Sequence, residues 1–314
     1  MSSPARRSGA ASGRLAGVAC VVVAAIGFSA KAVLVKLAYR AHPVDAVTLL
    51  ALRMLFALPF FVAMGIWSHR SGPDHHLSRR TWGRVIALGF VGYYLASYLD
   101  FLGLQYISAG LERLVLFLYP TLTILLSAWF LGKAIARREV VALLITYVGI
   151  ALVVGHEVRI AGAASNVLLG GGLVFASAVA YSLYLIGSGE TIAKMGATRF
   201  TAYAMTVASV LCVFQFALMH PWSVLAMPAI VYWLTLAMAL FSTVIPVWLL
   251  SEGIRRLGAG QASMIAAVGP VATLAMGAAF LGEQVGWLEL AGAVLVLGGV
   301  LLVSAPRARN LKAA

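Results

Sequence analysis

The sequence predicts an all-α integral membrane protein of ten transmembrane helices, arranged as two inverted five-helix repeats. Composition is the first reason. The 314 residues are 62% hydrophobic and only 11% charged, with a mean hydropathy of +0.97. A soluble globular chain is nearer 45–50% apolar and about 25% charged. The second reason is a duplication: residues 101–154 recur as 251–304 at an ungapped offset of 150. Gly103 matches Gly253, Gly110 matches Gly260, Pro120 matches Pro270, and Thr123 matches Thr273. Phe130-Leu131-Gly132 matches Phe280-Leu281-Gly282, Glu139 matches Glu289, and Gly149 matches Gly299. The third reason is charge. After the shared Phe-Leu-Gly, one copy continues Lys133-Ala-Ile-Ala-Arg137-Arg138 and the other Glu283-Gln-Val-Gly-Trp287. A basic loop in one copy and an acidic loop in its partner suggest opposite sides of a membrane.

Apolar runs bounded by charge or turn residues place the helices at 14–38, 44–67, 82–103, 108–131, 138–155, 168–189, 199–219, 229–254, 259–281 and 287–304. The first run follows Arg6, Arg7 and Arg14 and ends in Phe28-Ser29-Ala30. It lacks a clear cleavage motif, and nine spans follow it, so it is read as a retained helix rather than a signal peptide. Leu-Ala-Gly-Val-Ala-Cys20 is a poor lipidation signal, because Gly17 stands where a branched apolar residue is expected. No Asp, Glu, Lys or Arg falls between Phe200 and Ser251, room for two spans of ~20 residues each. His220-Pro221-Trp222 and Met227-Pro228 read as the loop that joins them. Trp67, Trp82, Trp222 and Trp287 fall near proposed helix ends, as interfacial aromatics do. The expected organisation is a tail (1–13), a first repeat (14–155), a periplasmic linker (156–167), a second repeat (168–304) and a C-terminal tail (305–314). Cys20 and Cys212 sit inside apolar runs and indicate no disulfide framework.

Basic residues set the expected orientation. With the N-terminus inside, 17 of the 23 lysines and arginines fall on the cytoplasmic side. Lys36, Arg40 and Arg159 fall outside, and Lys31, Arg53 and Arg113 lie within helices. Both termini are then cytoplasmic, as ten spans require. A net charge of +13 follows this topology in short loops, so no nucleic-acid partner is indicated.

Ala-Gly-Leu-Glu112-Arg, Leu-Tyr-Pro120-Thr-Leu-Thr and Phe-Leu-Gly132, with Ala-Gly-Gln261, Val-Gly-Pro270-Val-Ala-Thr and Phe-Leu-Gly282-Glu283, resemble the paired domains of the EamA family. That family belongs to the drug/metabolite transporter superfamily. Ala-Leu-Arg53 in the second helix is similar to its pattern as well, and the resemblance covers essentially the whole chain. Lys133 departs from it, since the first copy often carries Glu there. The resemblance implies a ten-helix transporter of the bacterial inner membrane, commonly an exporter of metabolites or amino acids; it names no substrate.

The residues bound the chemistry further. Gly132-Lys133 lacks the upstream glycine and following hydroxyl of a phosphate loop, so ATP is not the expected energy source. His75-His76 has no partner at metal-ligand spacing, and neither metal nor cofactor is expected. No cluster of His, Asp or Ser suggests an enzyme at a membrane edge. What remains is a small organic solute, the lipid bilayer and the proton as coupling ion, or uncoupled facilitated passage, or flipping of a lipid carrier.

Pro120 and Pro270 lie near the middle of helices 4 and 9, where each removes a backbone hydrogen bond. Matching breaks in two halves point to a midplane binding site, although a packing kink without ligand contact is the plainer reading. Ala128-x-x-x-Gly132 and Ala278-x-x-x-Gly282 suggest close helix packing. Intramembrane charges usually face a cavity or a partner; here they are Lys31, Arg53, Asp100, Glu112 and Arg113. Arg53, roughly 13 Å along helix 2 from its outer end, is expected to pair with Asp100. Glu112 reads first as a cap near the start of helix 4, with a cavity-facing proton carrier as the alternative. Glu252 is expected to pair locally with Arg255 and Arg256. Tyr94 and Tyr98 share a face of helix 3, and Tyr181 and Tyr184 a face of helix 6. Tyr119 precedes Pro120, and Trp248 follows Pro246. Such aromatics suit a cavity for an amphipathic solute, though stripes of this kind are more often packing.

Overall fold

A computed structural model describes residues 4–70, 78–132, 134–161 and 164–304, with side chains from Arg14 onward except at 160–161, 259–260, 263 and 303–304. Lys133, His75-His76 and the C-terminal tail lie outside the described residues. Helix α1 spans Pro4–Ala41, α2 Ala46–Arg70, α3 Arg79–Gly103, α4 Ala109–Leu131 and α5 Arg137–Ala161. The second half supplies α6 at Ala164–Met195, α7 at Ala197–Met219, α8 at Ala229–Leu257, α9 from Ala259 to Leu281 and α10 at Trp287–Ser304. Among the described residues, nine helices are long and apolar enough to cross a membrane. The tenth, α10, has 18 residues and rises about 27 Å, close to the ~30 Å of a hydrocarbon core. Every regular element described is helical, giving ten transmembrane helices in two repeats. Five spans per repeat invert the second repeat relative to the first. The linker expected at 156–167 is largely helical, because α5 runs on to Ala161 and α6 starts at Ala164.

The packing follows the duplication. Helix α5 lies along α10 and α2 along α7, while α1 packs on α8 and α3 on α6. Exchanging the halves maps α1–α8 onto α6–α3 and returns each of the other pairs to itself. Small residues at matched positions make these approaches possible. A Cβ on Gly149 would stand 2.8 Å from the Gly292 carbonyl oxygen, and one on Gly299 would stand 2.7 Å from that of Ala142. Those two contacts are one contact seen twice, since Gly292 is the counterpart of Ala142.

Gly132 and Gly282 have a different task from the close packing expected of them. A Cβ at either would meet nothing within 4 Å. Both instead adopt left-handed φ angles, 63° and 66°, ending α4 and α9 as C-terminal glycines do.

Four helices are irregular, and in matched pairs. A π turn occupies Phe90–Leu95 in α3 and another Leu240–Val244 in α8, each beginning at equivalent residues. Helix α4 breaks between Ala109–Leu116 and Tyr119–Leu131. Helix α9 breaks at Ala267, between Ala259–Ala266 and Val268–Met276, and a third π turn follows at Gly277–Leu281. Phe117, where the first segment of α4 ends, is the counterpart of Ala267. Each break falls just before its proline, which has no N–H to offer and crowds the carbonyl four residues back.

Gly292→Val is expected to cost about 1–3 kcal/mol through forced overlap with α5 and to reduce the yield of monodisperse protein. Gly298→Val, whose Cβ would meet nothing within 4 Å, is the control that should leave yield and melting temperature near wild type.

Candidate functional site: a buried charged junction beside the helix breaks

The carbonyls that precede the two prolines are held alike. Ser182 on α6 donates its Oγ to the Tyr119 carbonyl at 3.0 Å, and Thr123 donates to the same oxygen at 2.7 Å. In the other half, Ser29 on α1 donates to the Gly269 carbonyl at 2.8 Å, and Thr273 adds a second bond at 3.2 Å. Ser29 and Ser182 are separated by 153 residues, as are Gly17 and Gly170. Both carbonyls lie in the first turn after the break, and at membrane depth their extra bonds come from protein hydroxyls.

Charges gather beside these breaks. Lys31 on α1 donates Nζ to Asp100 Oδ2 on α3 at 2.5 Å and to Glu112 Oε1 on α4 at 3.0 Å. Lys31 stands ten residues before Ala41, the end of α1, or about 15 Å along its axis. Glu112 is 0% exposed and Asp100 2%. Two carboxylates therefore share one ammonium in a nearly dry setting, where each unpaired charge is costly. Glu112 is not the surface cap it was expected to be. Ser108 caps this helix instead, accepting from Leu111 N–H at 3.1 Å.

The expected Arg53–Asp100 pair is absent among the described ion pairs, because Lys31 takes that carboxylate. Buried Arg53 turns across the junction to the second repeat. Its Nε donates to Thr243 Oγ1 at 2.9 Å, inside the π turn of α8, and its guanidinium lies 5.4 Å from the Phe101 ring centre, within cation–π range. Arg113 reaches the other repeat too: a Cβ on Gly269 would stand 2.9 Å from its Nη2. Side-chain atoms Asp100 Oδ1, Glu112 Oε2, Arg53 Nη1 and Arg113 Nε are buried without a hydrogen-bond partner. The second repeat is neutral at corresponding positions, where Leu250 matches Asp100, Ala262 matches Glu112 and Tyr184 matches Lys31.

The aromatic candidates divide into two groups. Tyr119 and Tyr181 meet edge-on with ring centres 5.2 Å apart, and Tyr181 stacks on Tyr184 at 5.5 Å. The Tyr184 hydroxyl lies 2.9 Å from that of Tyr93. Tyr93 was not singled out in the sequence, because a regular helix does not place it with Tyr184; the π turn at Phe90–Leu95 changes the register. Tyr94 and Tyr98 stack separately, with centres 6.4 Å apart. Trp248 is 62% exposed, on one helical stripe with exposed Phe241 and Ile245, and so stands outside the buried junction. Glu252 pairs with Arg255 and Arg256, each at 2.6 Å, as its spacing suggested. A groove of about 420 Å³ between α2 and α7, lined by Phe61, Gly65, His69 and Tyr203 among others, shares no lining residue with the charged junction.

One membrane face, which carries Glu283, is tied by a separate set of contacts. Glu283 Oε1 accepts from Ala109 N–H at 2.8 Å and Oε2 from Gly110 N–H at 3.3 Å. Glu157 accepts from the Ser108 N–H and Oγ, both at 2.9 Å. Arg40 Nη1 donates to the Leu281 carbonyl at 2.6 Å, and Lys36 Nζ to those of Leu104 and Ile107 at 3.2 and 2.9 Å.

The model of the EamA-like transporter family matches residues 15–155 and again 168–305. The chain belongs to that family. Among its relatives, an uncharacterized transporter of Bacillus subtilis strain 168, YcbK, is 31% identical over 92% of this chain and 91% of its own length. A second from the same strain, YyaM, is 29% identical over 79% of this chain and 82% of its own. A solved crystal structure, 20% identical, superposes with a TM-score of 0.63 over 96% of this chain and 99% of that one, and shares the fold. Family membership and the apolar helices make this a multi-pass membrane transporter, with a small solute and the bilayer as its partners.

Lys31→Met is expected to destabilise the protein in detergent by about 3–5 kcal/mol, because it strands two buried carboxylates. Adding Asp100→Asn and Glu112→Gln to Lys31→Met should restore most of that loss. A triple variant that melts as low as Lys31→Met would show that the charges are not what the junction depends on.

Proposed function

We propose that the chain is a secondary transporter that exports small organic metabolites, amino acids among them, by alternating access of the two repeats around the Lys31–Asp100–Glu112 junction. The observation that carries this reading is the placement of that junction. Its acids and base come from α1, α3 and α4, beside the breaks of α4 and α9, and Arg53 and Arg113 extend it to the other repeat. A broken helix offers backbone and side-chain atoms to a solute at membrane depth. The unpartnered atoms on both the acidic and the basic side chains suit a solute that carries charge. Tyr119 and Tyr181 then supply apolar surface with a polar tip.

Protons are the proposed coupling ion. Two carboxylates compete for one lysine, so a proton taken up by Glu112 or Asp100 releases an ammonium contact. A solute can then exchange against that proton. The bias of 17 basic residues against 3 supports cytoplasmic termini, and placement in the bacterial inner membrane follows the family resemblance. On this orientation the Glu283 face is periplasmic. No enzymatic activity is assigned.

The test is flux of labelled amino acids and related metabolites in proteoliposomes, with acid imposed on the Glu283 face. Wild type should move solute toward the acidic side several-fold faster than without the gradient. Glu112→Gln should retain downhill flux and lose the response to pH. Wild-type flux that ignores the gradient would make the protein an uncoupled facilitator.

A further inference from the structure

We propose that Glu283 and Arg40 form a latch that closes one face of the transporter by clasping the start of α4 and the end of α9, and that the opposite face has no such carboxylate clasp at the start of α9. That face is tied instead by Arg84–Glu190, Arg138–Leu302 and Arg199–His69. This goes beyond the alternating-access reading and rests on it.

The latch joins the repeats in both directions. Glu283, in the second repeat, accepts from the first two N–H groups of α4 in the first. Arg40, in the first repeat, donates to the carbonyl of Leu281 at the end of α9 in the second. Each charge matches the partial charge of the helix end it meets: an anion at an N-terminus, a cation at a C-terminus. Glu157 adds a second carboxylate at Ser108. Packing reinforces the contact, since a Cβ at Gly110 would stand 2.7 Å from Leu274 of α9. Separating the repeats on this face must break the Glu283, Arg40 and Gly110–Leu274 contacts together, while Glu157 holds the start of α4 within its own repeat.

The duplication shows what stands at the corresponding positions on the other face. There the α9 N-terminus takes the place of the α4 N-terminus, and its N-cap is Gly258, with no side chain to offer. Offset by 150, Glu283 becomes Lys133 and Glu157 becomes Arg307. Offset by 153, the spacing of Ser29 and Ser182, Arg40 becomes Ala193. Lys133 and Arg307 lie outside the described residues, so this step rests on sequence position. Both acids are replaced by bases, which a helix N-terminus repels, and the arginine is lost. The same fold thus carries one electrostatic clasp and one site with its charges reversed.

The test uses the full chain with Cys20→Ala and Cys212→Ala and a reporter, Ser29→Cys, beside the break of α9. The protein is reconstituted and labelled with a membrane-impermeant maleimide from each face in turn, with folding checked by gel filtration. Labelling from the Glu283 face should rise at least fivefold in Glu283→Gln and in Arg40→Gln. Lys133→Glu, which restores a carboxylate at the sequence position that corresponds to Glu283, should slow labelling from the other face by a similar factor. Unchanged rates in folded Glu283→Gln and Arg40→Gln proteins would overturn the latch, as would Lys133→Glu labelling like wild type. No solute enters this assay, so failure of the latch is separate from failure of the transport reading.

Discussion

A helix interrupted inside a bilayer must find its hydrogen-bond partners within the protein, because the surrounding lipid offers none. This chain interrupts two helices at equivalent residues, each three residues ahead of a proline, and the rest of the architecture is arranged around that constraint. Ser29 and Ser182, from helices that are themselves counterparts, reach carbonyls in the first turn beyond the interruptions. The positions where backbone is least regular are therefore the positions where polar groups from several helices must converge. Charge then concentrates in the same region, on one repeat only.

That one-sidedness separates structure from function in the duplicated fold. Symmetry-related features are those that packing requires: the glycine contacts of α5 with α10, the π turns of α3 and α8, the αL glycines that end α4 and α9. The π turn at Gly277–Leu281 apart, the clearest departures from the symmetry are charged. Lys31, Asp100 and Glu112 correspond to Tyr184, Leu250 and Ala262, and Glu283 corresponds to Lys133. Retaining a buried ion cluster costs stability that hydrophobic residues would supply at no such expense. The neutral second repeat shows that this scaffold packs without ions at those positions, so folding alone does not account for the cluster in the first repeat, on which the proposed transport rests.

Much of the scaffold was legible in the sequence, because membrane helices declare themselves by length and composition and repeats by a fixed offset. Ten spans, two halves and the family emerged from local runs and from Gly, Pro and Phe-Leu-Gly spacing. The site was legible as a set of residues but not as a set of partnerships. Asp100 was expected to meet Arg53; it meets Lys31, since which cation lies nearer depends on how α1 and α2 pack against α3. Glu112, in the first turn of α4, looked like a cap, and only tertiary contact shows that the capping acids come from Glu283 and Glu157. Tyr93 escaped notice because a π turn rotates side chains in a way that a regular period does not anticipate. Gly132 and Gly282 carried a pattern that suits close packing, yet their backbone angles show that they terminate helices.

The central claim is that the two repeats rock about the charged junction, opening one face as the other closes. Pulsed electron spin resonance on paired labels tests it most directly, with one pair at Gln105 and Gln284 on the Glu283 face and another at Ala134 and Arg255, their counterparts, on the opposite face. As pH is lowered and solute is added, the two distance distributions should change reciprocally, one lengthening as the other shortens. Two distributions that stay fixed under every condition, in protein shown to transport, would contradict the account.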